Sequence, residues 1–512
     1  MYLYIPNAES ALVNIALTSR VFYEPAMDEL WANMSGFGRL IACLPDYAIE
    51  RMHGSSFCAI ITRTPLTNEW VRFAHHARRV RSMVPYAGMS HDPDDAFTPA
   101  ALASLNIICA HAPKPVLPRL QYLEIGGWRV PCHLDAFLCP LVESLHLHNL
   151  SADDIRQVLP LVPTNVPQLM SLRVALPEGH AAEDDALRAA FSETVCAMEG
   201  LNWLGGAHHF FSDAALEHLS RLQSLETLYL SMAPTTHVQG LGAFRSLSTL
   251  SLAFAPSSST AYWASFLRAL EQAPLRVLSL SIPTLQTPAS ALIPVINTLG
   301  ALNALQDLTI AVDISDIADP WGGTWLDAPT LAPLFALRGL TDVGLYNFPL
   351  VLSTPFSEPG SETYALLELA ARAWPRLQSL SLETALGMPR TARARLEELA
   401  HLARCSALQR VQVELADVSA AWTGSDPAFE GAYEVSAVWT LDLREVRIDA
   451  GAVPAVVEFL SQWFPRARIE HAWDEEVWNM DDQDELIAEA RGWQVAAQRV
   501  AQEVEMRRLR SL

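Results

Sequence analysis

Apolar residues return along this chain at positions i, i+3 and i+5, a Leu-x-x-Leu-x-Leu trio, and no other feature restricts the fold as strongly. The trios stand at Leu120–Leu123–Ile125, Val142–Leu145–Leu147, Leu169–Leu172–Val174, Leu225–Leu228–Leu230 and Leu247–Leu250–Leu252. They continue at Leu275–Leu278–Leu280, Leu305–Leu308–Ile310, Leu340–Val343–Leu345, Leu377–Leu380–Leu382, Leu408–Val411–Val413 and Val438–Leu441–Leu443. Leu201–Leu204–Gly206 is a twelfth, poorer copy. Successive copies begin roughly 22 to 37 residues apart, the period of a short strand plus a helical or irregular return. One such unit cannot bury its apolar side alone, so neighbours must stack into a continuous core.

This period matches leucine-rich repeats and predicts an α/β fold: an irregular leucine-rich-repeat solenoid, with parallel strands on the concave side and helices and loops on the convex side. About 12 repeat units are expected over 116–470. Helix-capable runs fill the gaps, for example Ala261–Glu271, Tyr364–Ala373 and Ala392–Cys405. Pro274 and Pro375 stand where such helices must stop before the next strand. Insertions at Pro320–Pro329 and Thr423–Glu434 are expected to be surface loops.

The flanks differ in character. Residues 1–50 are expected to be helical, with the second helix starting at the Glu24-Pro25 turn because proline is tolerated in a first turn. Residues 51–115 predict a helical and loop connector, with an amphipathic helix around Trp70–Val84 and a loop from Pro85 to Pro99. After Ile469, seven carboxylates fall within Asp474–Glu485, and a helix should then run to the end. Leu486, Ala490, Trp493, Ala497, Val500 and Val504 step along it as a short seam. That helix is expected to dock on the end of the array, with self-association through the seam and a solvated or partly disordered tail as the alternatives.

Composition narrows the partners. The net charge is −22, with 57 acidic against 35 basic residues, a field that repels nucleic acid. The basic runs Arg78-Arg79-Val80-Arg81 and Arg507-Arg508-Leu509-Arg510 are short, so no nucleic-acid partner is expected. No apolar run approaches membrane-spanning length and the N-terminus does not resemble a secretory signal. Seven cysteines without framework spacing suit a reducing compartment. The expected location is cytoplasmic or nuclear, with no membrane partner.

Alternation within each strand sets the positions between the leucines on the opposite, concave face. There the sequence places Glu124, His146, His148, Arg173, Tyr229, Ser251, Ser279, Thr309, Tyr346, Glu383, Gln412, Glu414, Asp442 and Arg444. The polar set contains no nucleophile–base–orienter constellation, which suits a protein-binding face rather than a reaction centre. Its Glu383, Glu414 and Asp442 end should favour a basic partner segment. Cys109, His111, Cys132, His133, Cys139, His146 and His148 are too irregularly spaced for a zinc site. No phosphate-binding glycine loop or nucleophile elbow occurs in a strand-to-helix context. Neither an enzyme nor a cofactor nor a metal is expected.

The segment from Leu12 to Trp31, with an apolar helix, a polar stretch ending in Arg20-Val21-Phe22 and a helix closing on Leu30-Trp31, resembles the second half of an F-box. It is similar in particular to the F-box of fungal proteins that carry an irregular leucine-rich array. The resemblance implies a substrate receptor of an SCF-type ubiquitin ligase, docking on a Skp-type adaptor and through it on a cullin scaffold while the repeats hold an unknown protein substrate. It implies adaptor-facing or helix-packing roles for Leu12, Ile15, Leu17, Phe22, Leu30 and Trp31. The family's opening Leu-Pro-x-Glu helix has no counterpart between Met1 and Leu12, as expected of a truncated F-box. Without adaptor docking the chain is a leucine-rich-repeat scaffold or binding protein with no ubiquitin-ligase role.

Overall fold

The three apolar positions of each trio reach the core because a strand turns alternate side chains to one side. Leu120, Leu123 and Ile125 are buried, as are the trios from Val142–Leu145–Leu147 to Val438–Leu441–Leu443. In the poorer copy Leu201 and Leu204 are buried too. A computed structural model describes residues 8–51, 59–84, 99–126, 136–148, 150–175, 185–205, 211–232, 244–254, 259–283, 289–313, 325–352, 366–384, 393–419, 436–443, 446–470, 496 and 498–509. The chain divides into two compact units, Met1–Ser231 with Gln239–Ser246, and Met232–Val238 with Leu247–Leu512.

In the first unit the parallel strands Asn33–Met34, Ser82–Met83, Tyr122–Gly126, Ser144–His148, Ser171–Ala175, Trp203–Gly205 and Thr227–Met232 are neighbours in chain order. The second unit repeats the scheme with Thr249–Phe254, Val277–Ile282, Asp307–Val312, Asp342–Phe348, Ser379–Thr384, Arg410–Val413, Thr440–Asp442 and Arg468–Glu470. Helices such as Asp213–Arg221, Thr260–Ala269, Ile293–Leu299 and Val453–Trp463 form the returns. This is the α/β architecture of a leucine-rich-repeat solenoid.

Register passes from strand to strand by one device. At most steps a single carbonyl accepts two successive N–H groups of the next repeat, using both lone pairs; Ala32 O and Trp439 O accept one each, from Arg81 N and Arg468 N. Gln121 O accepts from Glu143 N at 2.8 Å and Ser144 N at 3.0 Å, and Gln306 O accepts from Thr341 N at 2.7 Å and Asp342 N at 3.0 Å. The same geometry recurs at Arg81, Glu143, Met170, Asn202, Ser248, Arg276, Thr341, Gln378 and Gln409.

Several expectations need correction. The second helix runs from Arg20 to Ala32 with Pro25 inside it, rather than starting at Glu24-Pro25. Ser19 supplies the cap, its hydroxyl accepting from Val21 N at 3.3 Å, and a side-chain cap specifies a start more strongly than a permitted proline. The parallel sheet begins well before 116, at Asn33–Met34 and Ser82–Met83. The expected helix around Trp70–Val84 is a 3-10 turn Thr67–Trp70 followed by the helix Val71–Ala77, which ends before the strand Ser82–Met83. The antiparallel pair Ile49–Arg51 and Ala59–Ile61 straddles the boundary between the expected helical segment 1–50 and the connector.

Near the C-terminus, residues 498–509 are helical. Val500 and Val504 are buried, and Arg507 pairs with Glu458 of the helix Val453–Trp463 at 2.8 Å. The acidic run 474–485, the earlier seam residues through Trp493 and Ala497, and the loops 85–98 and 423–434 lie outside the described residues. Among the described residues no helix is long and apolar enough to cross a membrane.

Close packing between returns is visible at Gly300, which follows the helix Ile293–Leu299. A Cβ there would lie 2.6 Å from Pro333 Cβ and 2.8 Å from the Pro333 carbonyl oxygen. Glycine to alanine normally favours helix by up to about 1 kcal/mol. At Gly300 the sign should reverse, with Gly300→Ala lowering stability by about 1–3 kcal/mol through overpacking against backbone. Urea unfolding monitored by circular dichroism measures this, and an unchanged or higher midpoint would contradict it.

Candidate functional site

On the first unit, the positions before and between the leucines share one sheet face, so each strand contributes two or three side chains to it. Register sets Glu124 beside His146 and His146 beside Arg173. Tyr122 lies one alternate position away from Glu124 and its hydroxyl is 2.8 Å from both Glu124 Oε2 and His146 Nδ1. One phenolic proton serves one acceptor, so a consistent network has Tyr122 donating to Glu124 and neutral His146 donating from Nδ1–H to Tyr122 Oη. Ser144 Oγ then donates to His146 Nε2 at 3.4 Å. Burial, and secondarily Arg173 and His148, lower the His146 pKa, against the opposing pull of Glu124, which agrees with the neutral ring. His148 Nε2 meets Glu124 Oε1 at 3.1 Å, so both oxygens of Glu124 are engaged within the face.

Aromatic rings continue this network along the sheet. Tyr122 meets His146 edge-on at 5.0 Å between centroids, His146 lies 6.1 Å from Trp203, and Trp203 lies 5.4 Å from Tyr229. Gly205 makes room for the indole, because a Cβ there would lie 2.5 Å from the Trp203 ring. The result is an aromatic strip edged by Glu124, His148 and Arg173, chemistry suited to a partner with planar or apolar groups.

The second unit presents a cleft of about 370 Å³ on the corresponding face. Two in-register rows form it, Asp307–Asp342–Ser379–Arg410–Thr440 and Thr309–Gly344–Ser381–Gln412–Asp442. Tyr346 completes the wall, its ring folded over Gly344 so that a Cβ at that glycine would lie 2.8 Å from it. Just beyond, the ladder shifts register between Leu345 and Phe348, with Asn347 in the left-handed region at φ 53°. The Asp307 carboxyl is pushed above its ordinary pKa, first by burial and then by Asp342.

Of the expected face residues, Glu124, His146, His148, Arg173 and Tyr229 come together on the first unit, and Tyr346 and Asp442 line the cleft of the second. Glu383 is half-buried in the strand Ser379–Thr384. Arg444 lies outside the described residues. Glu414 is a correction: it is 6% exposed, accepts from Thr384 Oγ1 and sits 3.5 Å from Arg393 Nε. The strand ends at Val413, so alternation no longer governs Glu414 and its side chain turns into the protein. Residues that the between-leucine rule passes over are Tyr122, Trp203, Asp307, Asp342 and Arg410. Each stands one place before the middle apolar residue, which the same period-2 alternation puts on the same face.

The N-terminal helices Ala8–Thr18 and Arg20–Ala32 expose a second kind of surface. Leu17 is 78% and Val21 76% exposed, and Val13, Ile15, Phe22 and Tyr23 are exposed with them. Leu12, Leu30 and Trp31 are half-buried. Trp31 stacks on His76 at 4.2 Å between centroids, and Arg79, buried, pairs with Glu24 and Asp28. These contacts hold the second helix against the helix Val71–Ala77.

Cys109 and Cys139 are buried, Cys132 and His133 lie outside the described residues, and among the described residues no three His, Cys, Asp or Glu side chains are placed to hold a metal ion. No protein-family model and no curated protein sequence matches the chain. Among solved structures it is similar to the TLR13–ssRNA13 complex at 15% identity and TM-score 0.32, over 77% of this chain and 51% of that chain. It is also similar to the leucine-rich repeat-containing protein LegL7 from Legionella pneumophila at 13% identity and TM-score 0.29, over 58% of this chain and 81% of the other. The chain thus spans about half the length of the TLR13 chain it matches.

Proposed function

We propose that this chain is a non-catalytic substrate receptor of an SCF-type ubiquitin ligase. Its N-terminal helix pair docks on a Skp-type adaptor carried by a cullin scaffold, and the exposed sheet faces hold a target protein. The observation that carries this reading is the apolar set Val13, Ile15, Leu17, Val21, Phe22 and Tyr23, exposed on two short helices of a strongly acidic protein. Large apolar side chains exposed on paired helices suit an interaction site, and three of the adaptor positions implied by the resemblance, Ile15, Leu17 and Phe22, are among them.

Capture of purified Skp-type adaptor by the full chain tests the reading. The wild-type chain should retain the adaptor, and Leu17→Ser with Phe22→Ser should weaken capture at least about tenfold, the loss of two anchoring side chains. An unchanged circular dichroism spectrum would show that the fold persists. If the wild-type chain retains no adaptor, the ligase reading fails.

One observation favours a second reading, a leucine-rich-repeat scaffold with no ubiquitin-ligase role. Trp31, an expected adaptor-facing or helix-packing residue, is used internally against His76, so part of the F-box-like pattern serves to pack the helix pair on its own unit.

A further inference from the structure

We propose that the cleft of the second unit receives an arginine or lysine side chain from an exposed segment of the target protein, seated between Asp307 and Asp342. The inference rests on the receptor reading and names the chemistry that the receptor recognises. Asp307 and Asp342 are directly paired across neighbouring parallel strands, where backbones run about 4.8 Å apart. Two carboxylates side by side repel each other, and partial burial weakens the solvent screening that would relieve them. Arg410 stands two strands from Asp342 in the same row; its Nη2 is 3.9 Å from Asp342 Oδ1, and its side chain is 70% exposed. Among the described residues, three carboxylates against one guanidinium therefore line the cleft, with Asp442 as the third.

The remaining walls fit a long cationic side chain. The Tyr346 ring offers a face on which a guanidinium or an aliphatic stem packs. Thr309, Ser379 and Ser381 add hydroxyl acceptors, and Gly344, lacking a side chain, lets the Tyr346 ring lie close over the sheet. A cleft of about 370 Å³ is at the small end of ligand-sized pockets, enough for one such side chain rather than a folded element. A divalent ion is a poorer fit, because no three carboxylate or imidazole groups converge at ligand distance among the described residues. The overall charge of −22 draws a basic segment toward this face before any contact forms.

The test is binding of fluorescein-labelled octapeptides to the full chain at low salt, followed by anisotropy. One peptide carries two arginines in a Gly/Ser background and the other has citrulline in their place, which removes the charge and leaves the shape almost unchanged. The arginine peptide should bind at least about tenfold more tightly than the citrulline peptide. Asp307→Asn with Asp342→Asn should erase that preference, whereas Asp153→Asn, an exposed carboxylate of the first unit, should leave it intact. Equal binding of both peptides, binding unaffected by the double substitution, or no binding of the arginine peptide overturns the proposal. The peptide comparison uses the wild-type chain and stands whether or not a variant folds. Adaptor capture measured on the same preparations separates the readings. Loss of adaptor capture with arginine preference intact defeats the ligase reading alone, and the converse defeats the cation site alone.

Discussion

Trp263→Ala should destabilise the second unit by about 3–5 kcal/mol, the cost of emptying a large aromatic site. Trp263 is fully buried on the helix Thr260–Ala269, whose start is set by Ser259, with its hydroxyl accepting from Tyr262 N at 3.2 Å. The indole stacks on Phe254 with 4.6 Å between centroids and 19° between planes, so it joins a return helix to the strand Thr249–Phe254. Its loss removes both transfer free energy and a ring contact of known worth. Repeats in an array are stabilised chiefly by their neighbours, so damage at one step weakens the steps beside it. Equilibrium urea unfolding, followed by far-ultraviolet circular dichroism, should show the midpoint falling for Trp263→Ala and largely kept for Trp263→Phe. A loss below about 1 kcal/mol for the alanine variant would mean that the site collapses without cost.

Acidification should loosen the first unit through His76. This ring is buried against Trp31, and its pKa is held down to about 4 by burial first, then by His75, Arg79 and Arg72, against the opposing pull of Glu24. An imidazole that titrates near 6.5 when unfolded takes up its proton there first, so the unfolded chain is favoured as pH falls. The stability it contributes is complete above about 6.5, declines below that value, and is gone once the pH passes the folded-state pKa of about 4. At about 1.4 kcal/mol per pH unit this amounts to roughly 3 kcal/mol at most. His76→Phe retains an aromatic partner for Trp31 and has no proton to gain. The difference in urea midpoint between wild type and His76→Phe should therefore move in favour of the variant between pH 6.5 and 4. Parallel pH profiles for the two proteins would show that His76 is not the group responsible. Because Trp31 belongs to the helix pair, adaptor capture should weaken over the same window if the ligase reading holds.

Much of this fold is legible in the sequence because a leucine-rich repeat states its core twice, once in the spacing of a trio and again in its return. Leu278 and Leu308 stand in register across strands 30 residues apart in sequence and nothing beyond their spacing was needed to pair them. What was not legible has equally particular causes. Asn33–Met34 and Ser82–Met83 are two-residue strands, too short to display alternation. Pro25 marks a position that a helix start tolerates, whereas the Ser19 hydroxyl that caps Val21 N fixes the start. Half of each sheet face, Trp203 and Asp342 among it, stands one place before the middle apolar residue, outside the gap between leucines but on the same face by period-2 alternation. Glu414 fails for the opposite reason, since alternation holds only while the strand lasts.

The doubly used carbonyls between repeats have a bearing on how such a chain tolerates change. Most steps take their first alignment from the preceding turn, through two N–H groups on one oxygen, as at Gln121, Gln306 and Gln378. A residue gained or lost in a return segment is therefore absorbed within that segment and is not carried forward as a slip of every later strand. Length variation of the kind seen between Ile310 and Leu340, or Leu345 and Leu377, leaves the order of side chains on the sheet face as it was. The array behaves as a sequence of self-correcting steps, free to acquire new loops while conserving the surface it presents.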